Sequence, residues 1–197
     1  MKFRNMILVL TVAFSAIFVG MIGTSYAYYI STGGTTVNVT TGNIDTGVSV
    51  VFNQSQYINV NTGVPVSDKS LASSSSFSLT PDKNILAGAE VAIKFSIVDL
   101  DIDSALRVAD FKYEFTCDDG TNLSTLASGD GTSITDEVVN SGYLDLGYLS
   151  TTDNSFNIDN IYTCGLKVWL METNQNQNHL MNKNFSGLMR VNVLFKK

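Results

Sequence analysis

Histidine is almost absent from this sequence, and that scarcity limits its chemistry more than any other feature. His179 is the single one. One histidine excludes an H-E-x-x-H zinc site and leaves too few nitrogen ligands for a His/Cys zinc centre. Cys117 and Cys164 are the only cysteines, and a catalytic thiolate would need His179 as its base. No G-x-S-x-G elbow, phosphate loop or dinucleotide fingerprint occurs anywhere. The chain is therefore read as not an enzyme. Basic residues are also few: 12 Lys and Arg face 18 Asp and Glu, for a net charge of −6. Phosphate backbones need clustered cations, so nucleic acid is excluded as a partner. Only two prolines are present, and none follows Pro81. A C-terminal sortase signal containing Leu-Pro is thereby excluded. No cysteine stands near residue 27 to carry a lipid.

What is present begins with an export signal. Lys2 and Arg4 precede an apolar run from Met6 to Gly23, and Ser25-Tyr26-Ala27 places small residues where a signal peptidase reads them. Residues 1–27 are thus expected to be a signal peptide cleaved after Ala27, or an uncleaved helical anchor, since about 18 apolar residues is the lower limit for spanning a bilayer. Either way the rest of the chain is expected outside the cell, secreted or at its surface, touching membrane only through this segment. Removing Lys2 and Arg4 takes the charge from −6 to −8, because no acidic residue leaves with them.

Residues 28–46 are polar, β-branched and broken by Gly33-Gly34, which predicts an extended N-terminal segment. Residues 47–197 are expected to be one β domain. GVSVVFNQ reads as its first core strand, and the serine-rich stretch of residues 67–78 as an exposed loop. Alternation is strict in EVAIKFSI from Glu90 and in FKYEFTC from Phe111, the mark of half-buried strands. SALRVAD reads as a single helical turn. YLDLGYL from Tyr143, SFNIDNI from Ser155, the stretch from Cys164 to Leu170 and that from Met189 to Phe195 complete seven to nine strands. The expected fold class is all-β, a two-sheet sandwich of jelly-roll or related type.

Cys117 is in phase with Phe111, Tyr113 and Phe115, and Cys164 with Leu166, Val168 and Leu170, so both sulfurs are predicted to face the interior. In an exported chain two such cysteines most simply pair; two reduced core cysteines are the other reading. Asp99, Asp101 and Asp103 in VDLDIDS could converge on calcium, though alternate acids on a strand end are also simply solvated, and no other cofactor is indicated. Trp169 lies out of phase with its apolar neighbours and His179 sits in an Asn/Gln-rich loop. They are the candidate ligand-binding residues of a monomeric module for carbohydrate or a cell ligand.

The signal, the aromatic start of the remaining chain, GNIDTGVSVVF and the closing KVWLMETNQNQNHLMNKNFSGLMRVNV together resemble the TasA and camelysin-type surface proteins of Gram-positive bacteria. The resemblance covers mainly the first 55 and last 35 residues. It implies a structural subunit of a surface fibre or biofilm matrix that self-assembles into filaments, with other matrix or surface proteins as further partners. In that mode of assembly the N-terminal segment of one subunit completes a sheet of the next, which gains main-chain hydrogen bonds at an open edge. Here the donor would be residues 28–43, with Tyr28, Tyr29 and Ile30 at its start and Val37 and Val39 filling pockets. Protease activity, ascribed to some camelysin relatives, is not implied, because the zinc-ligand spacing is missing.

Overall fold

A computed structural model describes residues 36–38, 47–53 and 55–196. The signal segment and Tyr28, Tyr29, Ile30 and Val39 lie outside the described residues. Ten strands form two antiparallel sheets: β1 Thr36–Asn38, β2 Val48–Phe52, β3 Tyr57–Asn61, β4 Ser73–Pro81, β5 Glu90–Ile102, β6 Phe111–Asp118, β7 Leu123–Asp130, β8 Tyr143–Ser150, β9 Tyr162–Leu170 and β10 Asn184–Lys196. The larger sheet has the order β1-β2-β4-β9-β6-β7 and the smaller one β3-β10-β5-β8. The fold is the all-β sandwich that the alternation predicts.

The period of two along each strand decides which side chains meet between the sheets. Val91, Ile93, Phe95 and Ile97 of β5 are buried, as are Phe111, Phe115 and Cys117 of β6 and the apolar face of β9. Phe77 of β4 and Phe115 pack on Phe95 from the facing sheet, with ring centroids 6.0 and 5.1 Å away. Phe111 meets Phe185 of β10 in the same way at 5.4 Å. Each phenyl so buried contributes about 1.5–3 kcal/mol, and these rings bind one sheet to the other. Two short helices connect strands: α1, Lys83–Leu86, capped by Asp82, and α2, Asp136–Ser141, capped by Thr135. Among the described residues no helix is long and apolar enough to cross a membrane.

The two flanks of the sandwich differ. On one, edge strands β7 and β8 touch, because Gly147 (φ 87°) leaves room for the Leu126 carbonyl, which a Cβ would meet at 2.9 Å. The other flank is open between β3 and the start of β4. Three elements depart from the sequence pattern. Ser73–Ser78 is not a loop but most of β4: it pairs with β9 from Ser73↔Val168 to Leu79↔Tyr162, and only Phe77 and Leu79 anchor it in the core. SFNIDNI is not a strand; Phe156 is buried and Ile161 is 62% exposed, so it is an irregular connection pinned by one aromatic ring. β7 arises from LSTLASGD, a stretch the alternation assigns to no strand; a bulge between Phe115 and Thr116 of β6 interrupts its pairing.

Candidate binding groove

The open flank results from a change of sheet. β2 pairs with β4 only from Phe52↔Phe77 to Val48↔Pro81; the chain then crosses to the smaller sheet and returns as its edge strand β3. Among the described residues, no strand therefore pairs with Ser73–Ser75 on the side away from β9. The Asn53 N–H donates to the Ser76 carbonyl at 3.0 Å, so the polar backbone groups of Ser76 point to the β2 side. By strand alternation those of Ser74 do too, and Ser74 is exposed. Ser55, an isolated bridge residue, lies beside this stretch and its carbonyl accepts from the Ser75 hydroxyl at 3.5 Å, and beyond it the start of β4 faces the edge strand β3.

Between these edges lie two cavities of about 210 and about 100 Å³. They share Val60, Ser73 and Val168, and so form one groove. Leu166 lines the smaller part and Phe111 and Trp169 the larger. Val64 and Leu71 stand at the larger part and are 72% and 71% exposed. The groove exists because serines occupy residues 73–76, where side chains as large as Phe77 and Leu79 would have filled it.

The loop closing the groove is held in place. The Thr62 hydroxyl donates to the Leu180 carbonyl at 2.6 Å and accepts from the Lys183 N–H at 3.0 Å. Lys69 reaches Glu114 at 2.9 Å. The Asp68 carboxylate accepts from the Ser70 N–H at 2.8 Å, and that bond holds it below its ordinary value of 3.8.

The residues singled out in the sequence do not converge on one place. Cys117 and Cys164 form a disulfide, directly opposite each other on β6 and β9. Val37 belongs to β1 and pairs by its backbone with Val50, so part of the expected donor segment lies against its own chain. Trp169 lines the groove, half-buried, with its indole N–H buried and unpartnered. His179 is exposed in a 3-10 turn, Asn178–Leu180, and lines neither part of the groove.

The three aspartates read as a calcium cluster lie at the end of β5 and just after it. Asp99 has φ 52° at a bulge where β5 slips against β10 between the Ser186 and Leu188 pairings; Asp99 and Asp101 are both exposed, with Leu100 buried between them. Asp103 instead caps a 3-10 turn through the Ala105 N–H, which holds its carboxyl below 3.8, and faces Lys183 at 3.5 Å. Among the described residues no three His, Cys, Asp or Glu are grouped to hold a metal ion. The groove itself was hidden in the sequence, since the run of serines that creates it reads as a loop; the one available signal was Phe77 and Leu79 alternating after them.

No protein-family model matches the chain, and no curated protein matches it. Among solved structures it is similar to a mutant Xylanase10C from Cellvibrio japonicus in complex with xylopentaose, at 8% identity and a TM-score of 0.33. The match covers 82% of this chain and 26% of that one, so the chain spans about a quarter of that xylanase. A likeness this distant carries no functional argument.

Proposed function

We propose that this protein is an exported structural subunit that assembles by strand addition, each copy lending its N-terminal segment to the open groove of the next. The observation that carries the reading is the groove between β3 and the start of β4, which has no strand partner on that side among the described residues. It offers hydrogen-bonding edges and apolar pockets together, and strand addition draws affinity from the former and side-chain specificity from the latter. The donor is the segment of residues 28–43, which would exchange the pairing of β1 with its own β2 for the groove of the next copy, Val37 and Val39 then supplying two β-branched side chains at alternate positions. A head-to-tail contact of this kind does not close on itself and makes filaments. The disulfide suits an oxidising compartment, in keeping with the export signal.

The test is negative-stain microscopy of residues 28–197 and of the same chain lacking residues 28–43. Filaments are expected from the first and dispersed monomers from the second. Filaments of normal appearance from the truncated chain would overturn the donor-strand reading.

A further inference from the structure

The outer face of the smaller sheet carries a second set of features unrelated to the groove. Its side chains lie in rows fixed by the register. Tyr57, Leu188, Val98 and Tyr143 form one row across all four strands. Arg190, Ser96 and Asp145 form the next, followed by Asn192, Lys94 and Tyr148. Tyr57 and Tyr148 are 52% and 56% exposed, at opposite corners. Three strand spacings across and four residues along separate them by roughly 20 Å. Arg190 is exposed between them. Asp145 pairs with Lys94 at 3.0 Å, and that lysine also lies over the Tyr143 ring, 5.8 Å from its centre. At the middle of the face, Ser96 is fully buried and its hydroxyl has no hydrogen-bond partner among the described residues.

This layout inverts a protein interface, which places aromatic and aliphatic residues at its centre and polar ones around its rim. Here the centre is polar and holds an unsatisfied hydroxyl, while exposed aromatic rings stand at the corners. A polyhydroxylated chain fits such a face: sugar rings stack their apolar sides on phenol rings, whose tips remain polar, and their hydroxyls bond to the guanidinium and carboxylate groups between. A polyanion fits less well, because Asp145 shares the centre with the cations and the whole chain carries −6.

We propose that this face binds a neutral polysaccharide, laid diagonally from Tyr57 to Tyr148 over Arg190 and Asp145. The site is independent of strand addition, since none of these residues except Tyr57 borders the groove, and there only its smaller part.

Affinity electrophoresis tests it, with the full chain run through gels cast with xylan, hydroxyethylcellulose or galactomannan, and with serum albumin or polygalacturonate as controls. Retardation is expected in at least one neutral polysaccharide and in neither control. Tyr57→Ala and Tyr148→Ala should each weaken it by about tenfold; both remove exposed rings, and thermal melts confirm that the variants fold. Lys167→Gln, on the opposite sheet, should bind unchanged. Retardation in none of the neutral gels, or equal retardation of the tyrosine variants, overturns the proposal. So does loss of filaments rather than of glycan binding in Tyr148→Ala, which would make the face a contact between copies.

Discussion

A methyl group added at Gly187 would clash with Ile97 Cγ2 and lie 3.1 Å from the Val98 carbonyl, because this glycine sits opposite the β5 bulge. Gly187→Ala is therefore expected to cost about 1–3 kcal/mol through overpacking, read as a lower urea midpoint with an unchanged slope. Asp99, across the bulge, behaves differently. Glycine there removes the strain of a left-handed residue, on the order of 1 kcal/mol, but loosens the unfolded chain by a comparable amount. Asp99→Gly should thus leave stability nearly unchanged, and thermal melts with calcium or with chelator should coincide; a calcium-dependent midpoint lost in the variant would restore the metal site. The disulfide acts at the same scale with a larger effect. It closes a loop of 47 residues, which contributes about 4 kcal/mol by the chain-entropy relation. Cys117→Ala with Cys164→Ala should lower unfolding free energy by that order, and reducing agent should then have no further effect.

Among the elements, β4 is the one on which the proposed assembly turns. Ser74 directs its N–H to the open flank, so proline there removes a donor that no β9 bond uses, and proline is tolerated on an edge. Ser74→Pro is expected to leave the melting temperature within a few degrees of the parent and to abolish filaments; filaments with an intact groove-side proline would point to another edge. Why this element escaped the sequence pattern is physical. β5 and β6 announce themselves because every second residue is a large apolar one, as in Val91, Ile93, Phe95 and Ile97. Four serines at the start of β4 bury little, and their strand state is imposed by hydrogen bonding to β9, a tertiary effect absent from local pattern. β7 is an edge strand with a bulged partner, so its alternation is blurred. The positive φ at Asp99 and the capping role of Asp103 belong to backbone geometry that a one-dimensional pattern of aspartates does not carry. The cysteine pair was legible because both lie in phase with long apolar runs, on strands that prove to be neighbours. The groove was not, since it depends on where β2 stops against β4.

For the whole molecule, acid is the informative variable. Asp68, Asp103, Asp119, Asp130 and Asp153 are each held below 3.8, foremost by hydrogen bonds from Ser70, Ala105, Asn122, Thr132 and Ser155 respectively. A carboxyl whose value is lower folded than unfolded stabilises the fold above the unfolded value, and that contribution is lost as pH falls through the folded one. Urea midpoints should therefore be flat from neutrality to about pH 5 and decline below about pH 4; a midpoint rising on acidification would contradict these assignments. The cross-link from β6 to β9 has one more consequence, a mechanical one. If neighbouring subunits pull on a copy, the 47-residue segment between the two cysteines cannot be drawn out, although unlinked it would add about 160 Å of contour. A filament of such copies would yield in steps shortened by that length, and reducing agent would lengthen each step without changing the number of links.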